Sequence, residues 1–117
     1  MTKKKFKVDV TRIDTYEIEI DESVWNEDVL KDFSKTFYDV KDVKKLAENL
    51  ALNISINGSS NEHFEGFGFV QMLSADGTKR TVWDGLKVLG EDDITKGIEV
   101  KVISEGDDID TDVYLIE

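Results

Sequence analysis

The stretch FKVDVTRIDTYEIEI, residues 6–20, decides the fold. Phe6, Val8 and Val10, then Tyr16, Ile18 and Ile20, fall on alternate positions, while Lys7, Asp9, Glu17 and Glu19 take the other face. A period of two is that of a half-buried strand. Arg12, Ile13 and Asp14 interrupt the pattern, and no Gly or Asn stands there to make a primed hairpin turn. One long strand with a bend or bulge at its middle is expected.

Downstream the period lengthens. Trp25, Val29, Phe33 and Phe37 recur every four residues beside Leu30, and Glu27 and Asp28 sit where a helix N-terminus favours negative charge. Val43, Leu46, Ala47, Leu50, Ala51 and Ile54 fit the i, i+3, i+4 template of a second helix, with Asp39 as its expected N-cap and Gly58 as its stop. Val29, Phe33 and Phe37 of the first helix, and Val43, Leu46, Leu50 and Ile54 of the second, are expected in the core.

Gly58-Ser59-Ser60-Asn61 reads as a loop, after which the period returns to two. Residues 64–73 and 78–83 read as strands joined around Asp76-Gly77, a strong hairpin signal. Ile98, Val100 and Val102 mark a further strand, residues 105–112 an acidic loop, and residues 113–116 a last short strand. The expected fold is a single α+β domain over residues 1–117, in the order β-α-α-β-β-β-β. A mostly antiparallel sheet of about five strands would carry both helices on one face.

Composition narrows the chemistry. Among 117 residues there is no Cys, which removes disulfides, thiolate zinc sites, iron–sulfur clusters and a Cys nucleophile, and a single His removes multi-His metal centres. No apolar run approaches the roughly 18 residues of a membrane span, and the Lys-rich start leads into a strand pattern rather than a signal-peptide core. A cytoplasmic domain is expected.

The net charge of -11 is unevenly spread. Residues 1–12 carry +4, residues 13–28 carry -7, residues 29–83 balance, and residues 84–117 carry -8. Two segments therefore hold the excess: Asp14, Glu17, Glu19, Asp21 and Glu22 in one, and Glu91, Asp92, Asp93, Asp107, Asp108, Asp110 and Asp112 in the other. Acidic residues commonly do no more than keep a small domain soluble. Mutual repulsion on rigid elements, however, lowers stability and suits a basic partner. The basic partners most common in cells are nucleic-acid-binding proteins, a nuclease among them, and the same charge argues against direct binding of nucleic acid. No membrane partner is expected, and the oligomeric state is left open.

The motifs tested for catalysis or cofactors are weak. Asp108-Ile109-Asp110-Thr111-Asp112 opens like a calcium loop, but the sixth position is Val113 where an EF-hand needs Gly. Gly66-Phe67-Gly68 lacks the third glycine of a dinucleotide fingerprint and sits in a strand pattern, so it reads as a place where an aromatic ring or backbone approaches closely. His63 between Glu62 and Glu65 has no second element of a catalytic motif. No enzyme activity, metal or cofactor is expected.

The runs Thr11-Arg12-Ile13-Asp14-Thr15-Tyr16-Glu17-Ile18-Glu19-Ile20-Asp21, with Trp25 after it, and Phe64-Glu65-Gly66-Phe67-Gly68 give the first 70 residues a recognisable style. It resembles that of small acidic proteins encoded by phages and conjugative elements of Gram-positive bacteria. The resemblance implies the anti-restriction or anti-CRISPR class, whose members include DNA mimics acting in a bacterial host cell. It carries over no site residue. The expected function is inhibition of a restriction or CRISPR nuclease through occupation of its basic groove by the two acidic segments. The alternative is a homo-oligomeric accessory or structural protein of a mobile element, associating through an apolar face around Phe67 and Trp83.

Overall fold

The computed structural model describes residues 3–59 and 63–116, with Asp107 and Asp108 described in their backbone alone. Ser60, Asn61 and Glu62 lie outside the described residues. The alternating stretch forms one strand, β1 (Lys5–Ile20), and its partner is a still longer one, β7 (Ile98–Ile116). They pair antiparallel along their whole length, from Ile20 opposite Ile98 to Lys5 opposite Ile116. The expected bend is present as two register shifts, at Ile13/Asp14 and Thr15/Tyr16.

The acidic loop expected over residues 105–112 is instead strand. Between the pairs Tyr16–Val102 and Ile13–Asp108, β1 advances three residues and β7 six. The three extra residues are bulged out of the ladder. An odd number of them exchanges the two faces of β7, since side chains alternate strictly. Ile98, Val100 and Val102 thus share a face with Ile109, Val113 and Leu115. A continuous alternation would have placed them on opposite faces.

The α+β class holds, and the main sheet is mostly antiparallel, in the order β1-β7-β4. Strand β4 (Gln71–Leu73) lies parallel to β7 at Glu99–Lys101. The other expected strands shorten into two small hairpins. One pairs β2 (His63–Phe64) with β3 (Gly68–Phe69), and the other pairs β5 (Trp83–Asp84) with β6 (Lys87–Val88). Around Asp76-Gly77 the chain turns, with Gly77 at φ +87°, but only Leu73 and Lys79 bridge across it. Asp76 caps that turn by accepting from the Thr78 N–H at 2.9 Å.

Helix α1 (Glu27–Thr36) is capped by Asn26, whose side chain accepts from the Val29 N–H at 3.1 Å. Only Leu30 and Phe33 of α1 are buried; Val29 and Phe37, both expected in the core, are exposed. The buried face of this short helix is the i, i+3 pair Leu30 and Phe33, with Val29 and Phe37 on its flanks. Phe33 meets Trp25 edge-on at 6.1 Å and Phe67 at 5.1 Å. Gly66 allows the approach: it has φ +87°, and a Cβ there would lie 2.9 Å from the Phe33 ring. That is the close aromatic approach the glycine pattern predicts.

Helix α2 (Val43–Asn57) is capped by Asp42, not by Asp39. The reason is local: the Ser34 hydroxyl bonds both the N–H and the C=O of buried Val40, which ties residue 40 to α1 and leaves the helix to start after Asp42. Gly58, at φ +86°, ends the helix as expected. Leu46, Leu50 and Ile54 are fully buried and join Val100, Met72 and Val70 in the core, with Tyr16, Ile18, Ile20 and Val43 packed at its edge. Helix α2 covers only the half of the β1–β7 ribbon nearer Ile20. Beyond Arg12 the ribbon projects as a two-stranded arm, and the molecule measures 63 × 32 × 25 Å.

Candidate partner-binding surface

Because β1 alternates without interruption, its even-numbered residues face α2 and its odd-numbered ones face away. Glu17 and Glu19 therefore stand on the uncovered side of the sheet, Glu17 opposite Lys101 and Glu19 opposite Glu99. A cleft of about 360 Å³ opens at the end of this face, where Glu19 and Asp21 meet Glu91, Glu99 and the cations Lys79 and Lys96. Glu91 comes from a single 3-10 turn, Glu91–Asp93, between β6 and β7. Glu91 and Glu99, remote in sequence from Glu19 and Asp21, thus share one surface with them.

Not every expected residue joins it. Asp21 also caps the turn after β1, accepting from the Ser23 N–H at 2.9 Å and hydroxyl at 2.6 Å, bonds that hold its carboxyl below the usual range. Glu22 lines a hollow on the helix side with Val43, Lys44 and Ala47. Asp92 and Asp93 are exposed on the 3-10 turn outside the cleft. Asp110 and Asp112 are exposed on the arm, on the odd-numbered face of β1, with Asp112 directly opposite Asp9. The side chains of Asp107 and Asp108 lie outside the described residues.

Asp14 is withdrawn from solvent. Its side chain is 5% exposed and bonds Arg12 Nε at 2.8 Å, the Ser55 hydroxyl at 2.6 Å and the Gly106 N–H at 2.8 Å. The Ser55 bond, then the Arg12 bond, holds its carboxyl below the usual carboxylate range. Next to it Glu105 accepts from the Ser59 hydroxyl and from the Tyr16 hydroxyl at 3.3 Å, and Arg80 donates to Ser59 at 3.3 Å. Burial, then the nearby Glu105 charge, pushes the Tyr16 phenol up to about 12. This polar node seals the end of the core where the arm departs.

The residue that sequence reasoning missed is Glu99. The alternation of Ile98, Val100 and Val102 places it on the outer face, but its like-charged partner Glu19 follows only from the register. Like charges directly opposite on a sheet are destabilising, and Asp9 opposite Asp112 repeats the arrangement on the arm. Phe67, expected in an apolar interaction face, is buried, whereas Trp83 is half exposed. Among the described residues no helix is long and apolar enough to cross a membrane. No protein-family model, no curated protein and no solved structure matches this chain.

Proposed function

We propose that this chain is an inhibitory binding module, not an enzyme, that occupies the basic nucleic-acid groove of a larger protein. A restriction or CRISPR nuclease of a bacterial host is the partner class in view. The observation that carries the reading is the pair Glu19–Glu99 with Glu17 on one uncovered sheet face, and Asp21 and Glu91 in the cleft at its end. The strands fix the backbone positions of Glu17, Glu19 and Glu99, and although Lys79, Lys96 and Lys101 offset part of the charge, a cationic groove would relieve the repulsion that remains. The spacing suits the role. Alternate residues of a strand lie about 6.7 Å apart, close to twice the 3.4 Å axial step between phosphates of one DNA strand.

The test uses the intact protein as bait in a bacterial lysate, followed by competition with duplex DNA on the captured protein. DNA and this chain are expected to exclude one another. Changing Glu17, Glu19, Asp21 and Glu99 together to Lys should slow association at least about tenfold at low salt, with a smaller effect as screening shortens from about 10 Å at 0.1 M to about 3 Å at 1 M. Capture that tolerates saturating DNA, or that survives the four reversals unchanged, rejects the proposal.

A further inference from the structure

We propose that two copies of this chain associate as an antiparallel, two-fold dimer in which the bare faces of their β1–β7 arms pack against each other. The face in question is the continuation of the core face. Its even-numbered β1 residues pass from Ile18 and Tyr16 under α2, through the Asp14–Arg12 node, to Val10, Val8 and Phe6 on the arm. Across the ladder Val8 faces Val113, Phe6 faces Leu115, and Ile109 stands opposite Arg12. Phe6, Val8, Val10, Ile109, Val113 and Leu115 are each between 51% and 65% exposed. No described element lies over them. Helix α2 stops at Asn57, just past the Ser55 hydroxyl that bonds Asp14.

A two-stranded ribbon with an apolar face and no covering layer is marginal in water. Six half-exposed side chains present on the order of 600 Å² of apolar surface, at the upper end of what a monomer normally leaves bare. Two such faces together remove at most about 1,200 Å², the lower bound of a specific interface. A second copy that covers the whole face therefore reaches the area a specific interface needs.

Shape and charge favour an identical partner. On each copy the bare face is a ledge, bounded at one end by the C-terminus of α2 and open at the tip. Two ledges facing one another in opposite directions form a lap joint, each tip reaching towards the other's helix end. Each arm is also polarised along its length. Lys3, Lys4, Lys5 and Lys7 crowd the tip, while Asp9, Asp110 and Asp112 lie nearer the body. The strand charges stand on the face turned away from the joint and do not pair across it, but antiparallel packing keeps the two lysine-rich tips apart, whereas parallel packing would bring eight lysines to one end. The contact uses the even-numbered face of β1, so Glu17, Glu19 and Glu99 remain outward. The inference stands independently of the inhibitory role.

The wild-type chain should sediment at twice its 13.3 kDa mass. Val8→Asp with Val113→Asp, a cross-strand pair near the middle of the ledge, should weaken the dimer by more than about 100-fold and give a monomer with the same core circular dichroism. Leu86→Ser, on the fully exposed tip of the β5–β6 hairpin, should leave the mass unchanged. Orientation is read from single cysteines, since the chain has none of its own. Val10→Cys, near the two-fold axis, should cross-link to its mate on oxidation, and Leu115→Cys, at the tip, should not. A wild-type monomer at every accessible concentration, or a dimer that persists in the double Asp variant, overturns the proposal. So does cross-linking through Leu115→Cys as fast as through Val10→Cys.

Discussion

Asp14 and Tyr16 stand two residues apart on the covered face of β1, and their titrations should mark opposite ends of the stability profile. The Asp14 carboxyl is lowered in the folded chain relative to its unfolded value near 3.9. Its contribution is therefore complete above about 4 and is lost as pH falls through the folded value. Asp14→Asn should lower the melting temperature at neutral pH, and the gap to wild type should close in acid. A gap that stays constant from neutral pH into acid would remove Asp14 from the acid limb. Tyr16 runs the other way, raised to about 12 from an unfolded value near 10. Its contribution is present below about 10 and is lost as pH rises through about 12. Of the three tyrosines, one should ionise near 12 by tyrosinate absorbance, and Tyr16→Phe should delete that step.

At the scale of elements, both helices were legible, but the buried face was read in full only for α2, whose cap is Asp42 rather than Asp39. Helix α2 lies along the sheet, so Leu46, Leu50 and Ile54, each four residues from the next, all meet the core and are buried without exposure. Leu46→Ala and Leu50→Ala should each cost about 2–5 kcal/mol in denaturant unfolding. The α1 stripe has the same spacing, but this shorter helix buries only the i, i+3 pair Leu30 and Phe33, and the stripe's N-terminal member Trp25 belongs to the preceding turn. Val29→Ala, on the exposed flank, should change stability by no more than about 0.5 kcal/mol. A Val29 penalty as large as that of Leu50 would mean that α1 packs differently. The β5–β6 hairpin escaped sequence reading because two-residue strands contain too few residues to show a period.

The whole molecule is more extended than its length implies. Its radius of gyration is 18.3 Å, against about 13 Å for a compact domain of this size. The difference is the arm, which divides the ribbon into a half supported by α2 and a half without cover. Hydrogen exchange should separate the two. In the double variant Val8→Asp with Val113→Asp, amides of residues 6–10 should exchange much faster than those of Ile98–Val102. In wild type both should be protected. Equal protection of the arm in wild type and variant would show that it is stable alone and that no second copy supports it.

The sequence by itself determined the long bent first strand, both helices, the stop at Gly58 and the close approach at Gly66. Each rests on a local period or a backbone requirement confined to neighbouring residues. It also located the two acidic segments, because charge is read directly from residue type. Only the tertiary structure decided what became of those acids. The register set Glu19 against Glu99, the node turned Asp14 inward, and the 3-10 turn carried Glu91 to the same cleft. It also made residues 105–112 part of a strand, where three bulged residues had broken the alternation that a reader of sequence relies on. Pairing in a sheet is a relation between distant segments. A bulge changes the phase of one of them without any signal in the other.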